Sequence, residues 1–134
     1  MAEPNASADN SGITVLLAED ESMIRELIAT FLTNLGYRVV EAENGRAAAE
    51  KARALGTENI SLLITDLVMP VMGGLELAAE LRLQHGDLRV LFISGYTDDV
   101  VILEGQVRNK TAFLRKPFRF DILRQQIETL LAAA

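Results

Sequence analysis

The feature that most constrains this fold is a fivefold alternation of short apolar runs with segments of helical periodicity. The apolar runs cover residues 13–18, 37–42, 62–65, 88–94 and 111–115. The helical patterns that follow them cover residues 24–35, 45–55, 75–84, 98–105 and 120–131. Short continuous apolar runs are typical of strands buried on both faces, and strands separated by helices imply right-handed parallel crossovers. The sequence therefore predicts an α/β domain whose parallel sheet is covered by helices on both faces.

The length of the chain, 134 residues, is that of one domain with a substantial core. Residues 12–132 contain no internal repeat, linker or low-complexity stretch, so we expect a single unit over this range. Residues 1–11 are mostly small or polar and show no periodicity, which predicts a disordered lead-in.

Composition excludes several classes of function. The net charge of −6 and the lack of a basic stripe argue against direct nucleic-acid binding. The absence of cysteine excludes disulfides, thiolate metal sites and thiol catalysis. No apolar run approaches the ~20 residues that span a bilayer, and the N-terminus does not resemble a secretory signal. We therefore expect a cytoplasmic protein that does not contact membranes.

Chemically useful side chains stand where the predicted strands end. Glu19 and Asp20 follow the first strand, Asp66 ends the third, Ser94 ends the fourth and Lys116 follows the fifth. The carboxyl ends of parallel strands lie at one edge of the sheet, where ligands bind in open α/β folds. We therefore expect these five side chains to converge.

This set of groups predicts a pocket for a phosphoryl group. Three neighbouring carboxylates repel one another, and a divalent cation relieves that repulsion. Hard oxygen ligands without histidine or cysteine favour Mg²⁺. The Lys116 ammonium and the Ser94 hydroxyl supply further donors for phosphoryl oxygens, while one carboxylate acts as the nucleophile.

Four short motifs together resemble those of the receiver domains of two-component response regulators. They are Leu17-Ala18-Glu19-Asp20-Glu21, Asp66-Leu67-Val68-Met69-Pro70 with Met72-Gly73-Gly74, Ser94-Gly95, and Lys116-Pro117-Phe118. The resemblance extends over residues 13–131. It implies a flavodoxin-like receiver fold, with a five-stranded parallel sheet of order 2-1-3-4-5 that is doubly wound with five helices.

The resemblance also implies roles for the site residues. Asp66 would be the phosphorylated residue, and Asp20 would bind Mg²⁺ (or Mn²⁺) directly. Glu19 would hold a metal-bound water, and Val68 would offer its backbone carbonyl to the metal. Lys116 would pair with Asp66 and later with a phosphoryl oxygen.

The resemblance also implies which residues take part in switching, and other residues bear on the lifetime of the phosphoryl group. Ser94 would move toward the phosphoryl group and Phe113 would follow inward, which would change the face formed by the fourth helix, the fifth strand and the fifth helix. Val68 and Tyr96 flank the site, and we expect them to limit the approach of water to the acyl phosphate. The implied partners are a sensor histidine kinase or phosphotransfer protein and a downstream protein target, with the chain a monomer or a weak phosphorylation-dependent dimer.

Alternatives remain at this point. A phosphatase of the haloacid dehalogenase type would need an acidic residue two positions after the nucleophile, where this chain has Val68. A flavodoxin-type carrier would need a phosphate-binding first loop, whereas this one is acidic.

Asp66 could also be a plain turn residue, and Glu19 and Asp20 could simply favour a helix N-terminus. Both a stand-alone regulator and a receiver of a hybrid kinase fit the sequence.

Overall fold

Five strands, all paired in parallel, form one sheet in the order β2-β1-β3-β4-β5. The structure is a computed structural model that describes residues 10–95 and 110–132. The strands are β1 (Thr14–Ala18), β2 (Arg38–Ala42), β3 (Leu62–Asp66), β4 (Arg89–Ser94) and β5 (Thr111–Arg115). This order confirms the predicted sheet.

Four α-helices pack on the sheet within the described ranges. They are α1 (Ser22–Asn34), α2 (Gly45–Leu55), α3 (Gly74–Gln84) and a C-terminal helix (Phe120–Ala132), with a 3₁₀ turn at Thr57–Asn59. The helix predicted over 98–105 lies outside the described residues, as do residues 1–9 of the predicted lead-in. Asn10 donates a hydrogen bond from its side chain to the Leu35 carbonyl, 2.6 Å away, at the end of α1.

The alternating side chains of the strands build a core on each face of the sheet. Val15 and Leu17 of β1 pack with α1 and the C-terminal helix, whereas Leu16 and Ala18 pack with α2 and α3. All four are almost completely buried. A buried leucine contributes roughly 1.5–3 kcal/mol relative to an exposed one, so both faces of each strand favour an apolar residue. The unbroken apolar runs of the sequence follow from this two-sided burial.

Two leucines that the periodicity places on inward faces are exposed instead. Leu27 of α1 is 54% exposed and Leu75 of α3 is 62% exposed. Leu75 lies in the first turn of α3. Leu27 borders a cleft beside the carboxyl edge of the sheet. No helix in the described ranges is both long and apolar enough to span a bilayer.

The strand register brings the strand ends to one level. Ala18 of β1 lies opposite Thr65 of β3, and Asp66 lies opposite Ile93 of β4. Ser94 in turn lies opposite Arg115 of β5. The residues at or just after these ends therefore share one edge.

The start of α3 lies unusually close to the end of β3. A Cβ atom on Gly74 would lie 2.2 Å from the Asp66 carbonyl oxygen, and this backbone atom cannot rotate away. We expect Gly74→Ala to lower the free energy of unfolding by about 2–3 kcal/mol, because overpacking forces the backbone to shift. Gly86→Ala is the matched control, since its Cβ would meet no atom within 4 Å. Urea denaturation of both variants checks this, and equal stabilities would contradict it.

Candidate functional site

Three carboxylates meet at the carboxyl edge of the sheet. One oxygen from each of Glu19, Asp20 and Asp66 lies within 4.8 Å of the other two. They differ in exposure: Glu19 is 1% exposed, Asp66 is 8% exposed, and Asp20 is open to solvent. The end of β1 and the end of β3 are neighbours in the sheet, and that adjacency produces the cluster.

Lys116 supplies the positive charge that this cluster needs. Its Nζ donates hydrogen bonds to Glu19 Oε1 and Asp66 Oδ2, each at 3.0 Å, and lies 3.9 Å from Glu21 Oε1. Burial of the ammonium opposes its charge, but the hydrogen bonds to Glu19 and Asp66 outweigh it and raise the pKa of Lys116. Lys116 is therefore a fixed cation at neutral pH.

Glu19 has the most enclosed carboxylate of the three. Its Oε2 accepts a hydrogen bond from the Glu21 backbone N–H at 3.1 Å, in addition to the bond from Lys116 to Oε1. Burial raises the pKa of Glu19 above its ordinary value, although these two hydrogen bonds oppose the shift. Each carboxylate oxygen of Glu19 thus accepts a hydrogen bond from the protein.

Three of the remaining predicted site residues lie in the part of the chain that the structure describes. Ser94 is 1% exposed at the end of β4, and its carbonyl accepts a hydrogen bond from the Lys116 N–H at 2.8 Å. Phe113 of β5 is half-buried and stacks on Phe92, with ring centroids 5.0 Å apart. Val68 is 61% exposed on the rim. Tyr96 lies outside the described residues.

The donor set suits a hard divalent cation. It contains only carboxylate oxygens, arranged closely enough to share one ion. Asp20 offers the solvent-facing carboxylate that a partly hydrated Mg²⁺ requires, because Mg²⁺ usually keeps several waters. The residues present therefore fit Mg²⁺.

Two features of the site were not predicted from the sequence. A cleft of about 830 Å³ beside Asp66 and Lys116 has an apolar wall that includes Ile24, Leu27 and Phe118. Arg25 of α1 donates a hydrogen bond from Nη1 to the Glu19 carbonyl at 2.8 Å. The helical periodicity signalled the apolar residues but not the cleft, and a contact to a backbone carbonyl leaves no signal in the sequence.

Taken together, the fold and site define a doubly wound α/β domain with an acidic, lysine-bridged centre for phosphoryl chemistry. The model of the response regulator receiver domain family matches residues 15–128 of the chain. The chain belongs to this family, whose members act as phosphorylation-dependent switches and not as enzymes that turn over a substrate.

Individual relatives agree with this assignment. The response regulator receiver protein CpdR from Brucella abortus is 37% identical over 120 residues, which cover 90% of this chain and 98% of CpdR. The sensor kinase CckA from the same organism is 38% identical over 93% of this chain, but the chain spans only 13% of its length.

A solved structure shows the same likeness in three dimensions. The crystal structure of the response regulator TrrA from Thermotoga maritima, in complex with Mg²⁺ and BeF, has a TM-score of 0.74. It is 30% identical in sequence and covers 88% of this chain and 98% of that one. Family membership argues against both the phosphatase and the flavodoxin-type alternatives.

Removal of the Lys116 ammonium should destabilise the folded protein measurably. With Mg²⁺ chelated by EDTA, we expect Lys116→Met to lower the free energy of unfolding by about 2 kcal/mol. Breaking a fully buried ion pair costs roughly 3–5 kcal/mol, and the 17% exposure of the Lys116 side chain reduces that cost. Glu19→Gln in the Lys116→Met background should restore part of the loss, because a neutral amide needs no counter-charge.

Lys110→Met is the matched control for this measurement. Lys110 pairs at 3.2 Å with Asp87, whose side chain is 82% exposed, and exposed pairs contribute little. Urea denaturation of all four proteins gives the comparison. A Lys116→Met variant as stable as the Lys110→Met variant would show that the bridge does not hold the site together.

Proposed function

We propose that Asp66 accepts a phosphoryl group from the phosphohistidine of a sensor histidine kinase or phosphotransfer protein. The observation that carries this is the 3.0 Å contact of Lys116 Nζ with Asp66 Oδ2 inside the acidic cluster. Asp66 is the member of the cluster that combines near-complete burial with an opening onto the cleft. Glu19 is more enclosed, and Asp20 is more exposed to solvent.

The proposed metal is Mg²⁺, or Mn²⁺ in its place. Asp20, Asp66 and the backbone carbonyl of Val68 would bind it directly, and Glu19 would hold one of its waters. When bound, the ion neutralises the carboxylates and the phosphoryl oxygens. The Mg²⁺ in the TrrA complex supports this proposal, since TrrA shares the fold and 30% of its sequence with this chain.

The transfer itself is a displacement at phosphorus. A carboxylate oxygen of Asp66 forms the new O–P bond while the N–P bond of the donor histidine breaks, and the imidazole leaves with the electron pair. The Lys116 ammonium then binds a phosphoryl oxygen in place of the carboxylate oxygen it now contacts. The Ser94 hydroxyl binds another.

The cleft provides a surface for the protein donor. Its apolar wall includes Ile24 and Leu27 of α1 and Phe118 and Phe120 after β5, and Asp66 lines the same cleft. Leu27 is 54% exposed and Phe120 is 36% exposed, so a partner could bury both. An apolar patch beside an acidic centre fits a protein donor better than a nucleic acid.

The proposed output is a change of surface. Movement of Ser94 toward the phosphoryl group leaves room for Phe113, which would slide inward from its present stack on Phe92. The face formed by the predicted fourth helix, β5 and the C-terminal helix would then bind a downstream protein target with altered affinity. We place this signalling in the cytoplasm, with the chain a monomer or a weak phosphorylation-dependent dimer.

Labelling with acetyl phosphate and Mg²⁺ tests the acceptor. We expect one acid-stable, base-labile phosphoryl group per chain, because an acyl phosphate has that stability, and complete loss of label in Asp66→Asn. Asp121→Asn is the control, since Asp121 lies on the exposed surface and pairs with Arg119. The readout is the mass of the intact protein together with transfer from a panel of purified histidine kinases.

Two outcomes would contradict this proposal. Undiminished label in Asp66→Asn would move the acceptor to another residue. Repeated turnover of unrelated phosphoesters would indicate an enzyme.

Val68 gives a test of the phosphoryl lifetime. It is 61% exposed and lines the cleft beside Asp66, so it covers one approach of water, as we propose for Tyr96 as well. We expect Val68→Asn to accelerate dephosphorylation about threefold or more, equivalent to ~0.7 kcal/mol, because an amide can orient water. Val71→Asn, in the same loop and 67% exposed, is the control. An unchanged or slower decay in Val68→Asn would refute the shielding role.

A further inference from the structure

Arg25 of α1 contacts both β2 and the residue that follows β1, at the carboxyl edge of the sheet. It lies in the first turns of α1, where its backbone N–H donates to the Glu21 carbonyl at 2.9 Å. Its guanidinium donates from Nη1 to the Glu19 carbonyl at 2.8 Å, and its Nε lies 3.5 Å from Glu41 Oε1 of β2. The Arg25 side chain is only 18% exposed, so these contacts are partly shielded from solvent.

These contacts fix the peptide that leads into Asp20. The Glu19 N–H donates to the Ala42 carbonyl at 3.1 Å, and the Glu19 carbonyl accepts from Arg25. Both backbone groups of Glu19 are therefore held, one by β2 and one by α1. The Glu19 carbonyl and the Asp20 N–H belong to the same planar peptide group. By holding this carbonyl, Arg25 fixes the orientation of the peptide that leads into Asp20 and its side chain.

We propose that Arg25 is a positioning residue for the divalent-cation site. It holds the turn between β1 and α1 so that the Asp20 carboxylate stays within reach of Asp66. This inference rests on the proposed function of the acidic cluster. It assigns to Arg25 no contact with the ion and no part in the phosphoryl transfer.

The charge of Arg25 makes the proposal sharply testable. A guanidinium beside a cation site repels the cation, so its removal should by Coulomb's law tighten Mg²⁺ binding. Loss of an outer contact that orients a ligand weakens metal binding instead, by about 10–100-fold in well-studied sites. The two effects have opposite signs.

The experiment titrates Mg²⁺ into the ¹⁵N-labelled full chain and its variants, followed by amide NMR. We expect Arg25→Ala to weaken Mg²⁺ affinity about tenfold, and Arg25→Lys to recover part of it, because an ammonium can still donate to the Glu19 carbonyl. In EDTA, the Asp20 amide resonance should shift in Arg25→Ala, which reports the peptide without any metal.

Two control variants separate charge from position. Arg46 is exposed at the start of α2, which follows the carboxyl end of β2, so Arg46→Ala removes one positive charge from that edge of the sheet and keeps the bond from Arg25 to the Glu19 carbonyl. We expect unchanged or slightly tighter Mg²⁺ binding there. Glu41→Gln removes the ion pair but keeps the bond from Arg25 to the Glu19 carbonyl, and we expect less than about a threefold effect.

The outcomes distinguish this inference from the proposed function. An Arg25→Ala variant that binds Mg²⁺ as tightly as the wild type, or more tightly, overturns the positioning role. If Mg²⁺ causes the same amide shifts in the wild type and in Asp20→Asn, the proposed metal site is wrong. Should Arg25→Ala fail to fold, as its amide spectrum would show, Arg25→Met, which keeps an apolar stem but has no donor for the Glu19 carbonyl, decides by the same criterion.

Discussion

The structure depends on one electrostatic contact, the Lys116 ammonium between the carboxylates of Glu19 and Asp66. Both residues are less than a tenth exposed, and burying an unpaired charge costs several kcal/mol. The ammonium lies 3.0 Å from an oxygen of each, which offsets that cost. The residue after β5 must therefore reach the ends of β1 and β3, although β4 lies between β3 and β5 in the sheet.

The three acidic residues of the site differ in their exposure to solvent. Glu19 is enclosed and hydrogen-bonded by the protein, Asp20 faces water, and Asp66 lies between them at the cleft. The same functional group therefore stands in three different local environments, which suits the three different roles proposed for these residues. This graded exposure of the carboxylates suits a switch that must hold a reactive phosphoryl group and later release it.

Much of this arrangement was accessible from the sequence. The α2 helix was predicted with its observed bounds because Asn44 caps it, accepting from the Ala47 N–H at 2.8 Å, and Gly56 ends it with φ +87°. The five strands were predicted because both of their faces are buried. Periodicity alone puts Leu27 and Leu75 on apolar helix faces, yet both are exposed, because periodicity defines an apolar face but not which neighbours cover it.

The sequence by itself determined the alternation of strands and helices, and the residues that stand at the strand ends. Family resemblance added the sheet order. Only the tertiary structure decided the distances within the site, the enclosure of Glu19 and the contact of Arg25 with its carbonyl. The physical reason is that periodicity is a local property of the chain. Distances between Glu19 and Lys116, 97 residues apart in sequence, depend instead on how strands far apart in the chain are paired.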